Sequence, residues 1–298
     1  MCLFPTRAQS QEFGRPKLNP EGDLVLPCGK CTECISKRAI EWALRARHEI
    51  STHENNCFLT LTYNQENLPL ISDIKNEFQK FIKRLRKNIK LPIRYMVSHE
   101  YGSQTFRPHH HAIIFGWNPS HQKLLKTTPS GCPIFRSQQL ENLWSHGYSS
   151  IGVANEKTAY YIASYSLKGK KHTLIDPSTG EEVTISDCMD ASKRPAIGYT
   201  FFQQNLTQLI QSNQILPRYY LKRLLVENPT LHLQYENDRS LNLKTRSSHE
   251  LLAKFLINNA KLSNSAFREN EIVFNETSHQ ESTLINNLYE YHRLTTKA

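Results

Sequence analysis

The chain of 298 residues lacks several features that would assign a protein to a class at once. No apolar run approaches the roughly eighteen residues that cross a bilayer, and the first residues lack the apolar stretch of a signal peptide. We therefore expect no membrane partner and a protein that works where it is made. There is no Walker A motif, because Val153 stands where the lysine is required after Gly147 and Gly152. This excludes a nucleotide-driven motor.

Negative charge is also scarce. The chain has 37 Lys and Arg against 27 Asp and Glu, a formal net charge of +10. This surplus predicts a polyanionic partner. With 38% hydrophobic and 10% aromatic residues, the chain can bury one sizeable core, which excludes wholesale disorder and indicates one or two domains.

The seven cysteines are an odd number, and three of them lie within seven residues: Cys28, Cys31 and Cys34. This spacing favours metal binding in a reducing compartment such as the cytoplasm over a disulfide framework. With Cys2 as a fourth thiolate, the group would form a structural zinc site that fixes the N-terminal arm; the alternative is three reduced thiols around a turn at Gly29. An iron–sulfur cluster is disfavoured because Arg38 stands where its fourth cysteine is required.

Hydrophobic periodicity predicts a succession of helices and strands. We expect an extended arm over 1–27, helices over 36–55, 74–90, 140–147 and 156–168, strands over 57–63, 93–100, 109–117 and 148–153, and a hairpin over 173–185. The connection between the strands 93–100 and 109–117 is short enough for an antiparallel hairpin. This order predicts an α+β fold with a central antiparallel sheet flanked by helices.

The composition shifts at two positions along the chain, which suggests three segments. We expect an N-terminal arm with the cysteine cluster over 1–35, the main domain over 36–227, and a helical, partly flexible C-terminal appendage over 228–298. Within this appendage an amphipathic helix is indicated by Leu251, Leu252, Phe255 and Leu256.

A histidine triplet begins the predicted strand 109–117. Side chains alternate across a strand, so His109 and His111 point to one face and His110 points to the other. Two imidazoles on one face can share a metal ion, and Glu100 in the neighbouring strand is the nearest carboxylate in the sequence. This donor set suits Mg²⁺, Mn²⁺ or Zn²⁺. The alternative is a solvated or structural histidine pair.

Two phenols and an amine share one face of the predicted helix 156–168, because Tyr161, Tyr165 and Lys168 fall at i, i+4 and i+7. A tyrosine stripe commonly faces a core, but the lysine favours contact with water or phosphate. A phenolic oxygen beside a metal site is what phosphodiester transesterification requires. The predicted helix 74–90 adds a basic face that would bind a phosphate backbone or else be simply solvated, formed by Lys80, Lys83, Arg84 and Lys87.

Several segments, taken in order, resemble the replication initiation proteins of the microviruses, the small circular single-stranded-DNA bacteriophages, especially their gokushovirus branch. The segments are PCGKCTEC, FLTLTYN, HEYGSQTFRPHHHAIIFGW, LWSHGYSSIG, AYYIASYSLK and LPRYY, within residues 28–225. These proteins belong to the HUH endonuclease superfamily. The resemblance implies an HUH-like fold for 36–227, with His109 and His111 as the metal-binding pair and Glu100 at the position of the third ligand.

The same resemblance implies roles for the tyrosine helix. Tyr161 and Tyr165 match the nucleophiles of the motif Y-x-x-x-Y-x-x-K, and Lys168 matches its lysine. One departure is visible, because His110 is polar where the family usually has a hydrophobic or aromatic residue. This departure leaves open a register in which His110 binds the metal.

The activity that the resemblance implies is the start of rolling-circle replication in the host bacterial cytoplasm. With Mg²⁺ or Mn²⁺, the protein would nick single-stranded or supercoiled phage origin DNA, form a 5′-phosphotyrosine intermediate and later rejoin the strand, with a host helicase and polymerase. Two alternatives remain open: a plasmid relaxase or transposase of the same superfamily, and a non-catalytic, zinc-stabilised DNA-binding protein.

Overall fold

The computed structural model describes residues 2–11, 16–69, 74–102, 106–129, 131–168, 171–175, 180–212 and 214–245; at 165–168, 172, 174 and 240–245 only the backbone is described. The helices are α1 (Thr32–Ser51), α2 (Ile74–Ile89), α3 (Gln138–Leu143), α4 (Glu156–Lys168), α5 (Tyr199–Gln204), α6 (Leu206–Gln211), α7 (Arg218–Glu227) and α8 (Pro229–Thr245). Among the described residues, no helix combines the length and apolar character needed to cross a membrane.

The strands form one large sheet and two small ones. They are β1 (Thr6–Gln9), β2 (Lys17–Leu18), β3 (Leu24–Leu26), β4 (Asn56–Thr62), β5 (Arg94–Tyr101), β6 (Pro108–Phe115), β7 (Lys123–Thr127), β8 (Pro133–Arg136), β9 (Ser149–Gly152), β10 (Lys171–Ile175), β11 (Glu182–Ser186) and β12 (Cys188–Ala191). The large sheet has the order β12-β5-β6-β4-β9-β8-β7, and all its neighbouring strands pair antiparallel. The predicted α+β fold with an antiparallel sheet flanked by helices is confirmed.

The two faces of the central sheet carry separate apolar cores. On one face, Leu61 and Ile114 belong to a buried cluster with Phe81 of α2 and Trp144 beside α3. On the other face, Phe58, Met96 and Ile113 pack with α1 and α4 through small and branched residues such as Ala43 and Ile162. The sheet therefore separates a layer of α2 and α3 from a layer of α1 and α4.

Two regions differ from the sequence-based expectation. The first 27 residues do not form a plain extended arm, because β2, β1 and β3 pair as a small antiparallel sheet in which Ala8 is fully buried. Helix α1 begins at Thr32 rather than at residue 36, directly after Cys31. It ends at Ser51, where the side-chain amide of Asn56 donates hydrogen bonds to the carbonyls of Ile50 and His53.

The C-terminal helices share a core of their own. Phe202, Tyr220 and Leu224 pack with Tyr235 of α8, whose hydroxyl donates a hydrogen bond to the Gln214 carbonyl over 3.0 Å. The expected helical character of this region is confirmed. The amphipathic helix expected at Leu251–Leu256 lies outside the described residues, and the boundaries at 35 and 227 stay predictions.

Candidate metal and tyrosine site

Strand pairing brings the proposed metal ligands together at one end of the central sheet. In β5 and β6, Glu100 lies opposite His109 and Ser98 lies opposite His111. In β4 and β6, Thr62 lies opposite His109 and Thr60 opposite His111. Directly opposite residues of an antiparallel pair point to the same face. Glu100, His109 and His111 therefore share the face covered by α1 and α4.

The geometry of these three side chains fits a metal ion. One ligand atom from each of Glu100, His109 and His111 lies within 4.8 Å of the others, and all three residues are buried. The closest carboxylate approach is 3.8 Å, from Glu100 Oε2 to His109 Nε2. One carboxylate and two imidazoles form a donor set that suits Mg²⁺, Mn²⁺ or Zn²⁺.

Both imidazoles are held by partners at their second nitrogen. His109 Nδ1 lies 3.2 Å from the carbonyl oxygen of Arg107, and His111 Nδ1 lies 3.2 Å from Thr60 Oγ1. Burial lowers the pKa of both imidazoles, that of His111 strongly. Both rings are therefore neutral near pH 7, the form in which imidazole binds a metal. The hydrogen bonds at Nδ1 leave Nε2 as the atom that faces the site.

Helix α4 delivers one tyrosine to this site. The Tyr161 hydroxyl lies 3.2 Å from His111 Nε2, and the two rings meet edge to face. Tyr161 is 7% exposed, and its neighbours on α4, Ala159 and Ala163, belong to the apolar core shared with α1. Small residues let the helices approach closely, which sets the depth of Tyr161.

The remainder of the predicted tyrosine face follows Tyr161 along the helix. Tyr165 and Lys168 lie one and two turns further along α4, and their side chains are outside the part of the chain that is described. Their proximity to the metal ligands stays a prediction from helical spacing.

His110 points away from the metal ligands, into the core beneath α2 and α3. It is fully buried, with Nε2 2.7 Å from the Tyr63 hydroxyl and Nδ1 2.9 Å from His99 Nδ1. Phe78 and Trp144 surround its ring. A histidine is tolerated at this apolar position because both ring nitrogens have partners. The alternative register with His110 as the ligand does not occur. The sequence held one clue to this pairing, since His99 stands opposite His110 in the hairpin.

The basic face of α2 is not part of this site. Helix α2 packs on the opposite side of the sheet, so the sheet separates Lys80, Lys83, Arg84 and Lys87 from the metal ligands. Lys80 pairs with Glu77 over 2.7 Å, and Arg84 Nε donates a hydrogen bond to the Leu143 carbonyl. Lys83 and Lys87 are exposed. Any role of these residues in DNA binding is therefore remote from the scissile bond.

A second group of metal ligands lies at the start of α1. The four thiols of Cys2, Cys28, Cys31 and Cys34 are free of disulfides, and their sulfur atoms lie within 4.8 Å of one another. The backbone N–H groups of Lys30 and Cys31 donate to Cys28 Sγ, and these bonds lower the pKa of Cys28 to about 6. Cys28 N–H in turn donates to Cys2 Sγ over 3.2 Å. The structure thus brings together all four predicted thiolates.

Comparisons with known proteins agree with the motifs. Residues 56–170 match the family model of the phage replication-associated protein ORF2. The chain is 29% identical to replication-associated protein VP4 of Bdellovibrio phage phiMH2K, over 85% of each chain. It is 29% identical to replication-associated protein ORF4 of Chlamydia phage 1, over 77% of this chain and 62% of the relative. It is 30% identical to replication-associated protein ORF2 of Spiroplasma virus 4, over 64% and 61%.

No solved structure matches the chain at a significant level. The segment that matches the family model includes Glu100, His109, His111 and Tyr161. The resemblance to phage replication initiation proteins is confirmed by these matches.

Proposed function

We propose that this chain, a relative of the replication-associated proteins of small bacteriophages, starts rolling-circle replication by nicking and rejoining phage origin DNA at a tyrosine. The observation that carries the proposal is the 3.2 Å separation between the Tyr161 hydroxyl and Nε2 of His111, a histidine that shares a metal-sized site with Glu100 and His109. The net charge of +10 supports contact with DNA.

The residues of the site suit phosphodiester transesterification. A Mg²⁺ or Mn²⁺ ion held by Glu100, His109 and His111 would polarise the oxygens of the scissile phosphate. The Tyr161 oxygen, its proton lost to solvent, forms a bond to phosphorus while the bond from phosphorus to the 3′ oxygen breaks and that oxygen takes up a proton. The product is a 5′-phosphotyrosine ester and a free 3′-hydroxyl. Attack of a 3′-hydroxyl on the ester reverses the step, so no nucleotide is consumed.

Tyr165 and Lys168 complete the mechanism by their position on α4. Tyr165 follows Tyr161 by one helical turn, about 6 Å away, and serves as the second nucleophile when the origin is regenerated. Lys168 lies on the same helical face, where its ammonium group stabilises a phenolate or the phosphoryl charge. Alternation between the two tyrosines releases a unit-length circle.

The partners follow from what the reaction leaves undone. The nick frees a 3′ end that a polymerase must extend, and the chain carries no Walker A motif for unwinding. We therefore assign extension and unwinding to a host polymerase and helicase, and the reaction itself to the cytoplasm of the host bacterium.

The four-cysteine group at the start of α1 holds a structural zinc ion in this proposal. A tetrahedral ion with bonds to sulfur of about 2.3 Å separates two sulfurs by about 3.8 Å. The Sγ atoms of Cys2 and Cys31 are 3.8 Å apart. The site ties the N-terminal residues to α1, the helix against which α4 and Tyr161 pack.

Trapping the covalent adduct tests the nickase. The full chain is incubated with Mn²⁺ and a single-stranded oligonucleotide that carries the phage origin, and the DNA-linked peptide is identified by mass spectrometry. We expect one adduct from Tyr161→Phe or Tyr165→Phe alone and none from the double variant. Tyr160→Phe, on the same helix, is the matched control and should behave as the wild type.

A second pair of variants tests the metal ligands. His109→Ala with His111→Ala should abolish the adduct yet retain DNA affinity, because affinity depends mainly on Lys and Arg. Metal-dependent nicking by this double variant would refute the site, as would an adduct at Tyr160, Tyr199 or Tyr219. Binding without any adduct in the wild type would make the chain a non-catalytic DNA-binding protein.

Elemental analysis tests the zinc site. The purified chain should contain one zinc per molecule, and Cys28→Ser with Cys31→Ser should lose it. Cys132→Ser is the matched control because this thiol is exposed and outside the group of four. A wild-type chain without zinc, or a double variant that keeps it, would contradict the assignment.

A further inference from the structure

Tyr148 is an exposed aromatic residue beside the metal site. It precedes β9 and is 80% exposed, the highest fraction among the large hydrophobic side chains that the structure describes. The pairing of Thr60 with Ser150 and of Leu61 with Ser149 continues to Thr62 and Tyr148, whose backbone groups bond over 2.9 Å. Tyr148 therefore lies opposite Thr62, which is itself opposite His109.

This register places Tyr148 in one row with the proposed metal ligands. The row crosses four strands in the order Glu100, His109, Thr62 and Tyr148. Because opposite residues share a face, the ring of Tyr148 stands on the same side of the sheet as His109. Two strand spacings of about 4.8 Å separate them, so the distance is about 10 Å along the sheet.

The backbone that carries Tyr148 is held firmly. The N–H of Asn64 donates to the His146 carbonyl over 2.9 Å, and the indole N–H of Trp144 donates to the Thr62 carbonyl over 2.8 Å. Gly147 lies so close to β4 that a Cβ atom there would stand 2.5 Å from the Thr62 oxygen. An exposed ring on a fixed backbone needs little ordering when a ligand binds.

The surroundings fit a single strand of DNA rather than a protein partner. The side chains between Tyr148 and the metal ligands are small and hydroxylated, with Thr60, Thr62 and Ser150 all half-buried. The exposed Arg107 precedes β6 at the same end of the sheet and supplies a positive charge. A flat aromatic ring, hydroxyl groups and a guanidinium are the elements that bind an unpaired base and its phosphates.

We propose that Tyr148 is a stacking platform for an unpaired base of the DNA strand, one or two nucleotides from the phosphate that Tyr161 attacks. The inference rests on the proposed function, because it needs the scissile phosphate to lie at the metal ligands. Its ligand class is single-stranded DNA with intact bases. The ring acts through its face, so its hydroxyl is dispensable.

Binding of two simple probes tests this role without any cleavage. The probes are a twelve-residue oligothymidylate and a twelve-residue abasic oligonucleotide of the same backbone, measured by fluorescence anisotropy with the full chain. Tyr148→Ala should weaken binding of the thymidylate about 5- to 150-fold, the usual effect of losing one base stack. The same variant should bind the abasic probe as the wild type does.

Two variants separate base stacking from a general effect on folding or charge. Tyr148→Phe should bind both probes within about twofold of the wild type, because the ring remains. Phe4→Ala is the matched control, since Phe4 is an aromatic side chain of 71% exposure on the N-terminal segment, and it should change neither affinity. Equal weakening of both probes by Tyr148→Ala, or no weakening of either, overturns the inference.

The outcome is distinguishable from failure of the nickase. If the wild type forms the covalent adduct while Tyr148→Ala binds thymidylate normally, the proposed function stands and the platform falls. If no adduct forms but the two probes differ as expected, the platform stands on a DNA-binding protein. An adduct that maps to Tyr148 itself would make it a nucleophile and overturn the stacking role.

Discussion

The hydroxyl of Thr60 should control metal affinity although it does not face the metal. When Nε2 of His111 binds an ion, the proton of that ring is at Nδ1 and needs an acceptor, and Thr60 Oγ1 lies 3.2 Å from it. Thr60→Val keeps the branched shape that suits a strand and removes only this acceptor. The substitution therefore changes one hydrogen bond in the site.

Two independent estimates give the size of the effect. A buried N–H without a partner costs about 1–3 kcal/mol, and loss of an outer hydrogen-bond partner of a metal-bound histidine costs about 10- to 100-fold in metal affinity. Since about 1.4 kcal/mol corresponds to tenfold, the two agree. We expect Mn²⁺ to bind Thr60→Val at least about tenfold more weakly than the wild type, measured by calorimetric titration of the full chain.

Thr62→Val is the control for this experiment. Thr62 lies on the same strand and face, is also half-buried, and its hydroxyl donates to the Tyr148 carbonyl instead of contacting a histidine. Its metal affinity should match that of the wild type. Equal affinities of all three proteins would show that Thr60 does not orient His111, and equal losses in both variants would show a general disturbance of β4.

Three further predictions concern stability, thiol reactivity and DNA binding. Burial lowers the pKa of His48 to about 4 from 6.5, so the unfolded chain takes up this proton first and stability should fall as the pH drops from about 6.5 to 4; the melting temperature of His48→Gln should fall less over that range, and an equal fall would contradict the assignment. After zinc removal by a chelator, iodoacetamide at pH 7 should label Cys28 first and the fully buried Cys57 last, as read by mass spectrometry; labelling in the reverse order would contradict the lowered pKa of Cys28. Lys83→Gln with Lys87→Gln should reduce the salt slope for single-stranded DNA by about 1.4 without affecting adduct formation on a short oligonucleotide, whereas an unchanged slope would mean that this face is simply solvated.

The longer elements of the fold could be predicted from the sequence because their periodicity is strong. Helix α4 has the expected bounds, and β4, β5 and β6 differ from the expected strands by one or two residues at their ends. The sheet of β1, β2 and β3 could not be predicted, since its strands have two to four residues and mostly exposed side chains. Such short segments carry no readable alternation.

The candidate site was predictable only where local spacing defines geometry. Alternation along one strand is enough to put His109 and His111 on one face, and the hairpin register adds Glu100. The location of α2 was not predictable, because its apolar stripe shows that it packs on a sheet but not on which face. The same limit applies to Tyr148, whose place beside His109 depends on the pairing of β4 with β9.

The middle histidine of the triplet has a part in fixing the site that the outer two cannot supply. A shift of β6 by one residue would turn His110 toward α4 and bury His109 and His111 beneath α2. In the observed register His110 has partners at both ring nitrogens, Tyr63 and His99. The shifted register would offer these partners to one histidine at most, and each buried polar atom left unpaired costs about 1–3 kcal/mol. The core on the α2 face thus selects the register that assembles the metal ligands on the other face.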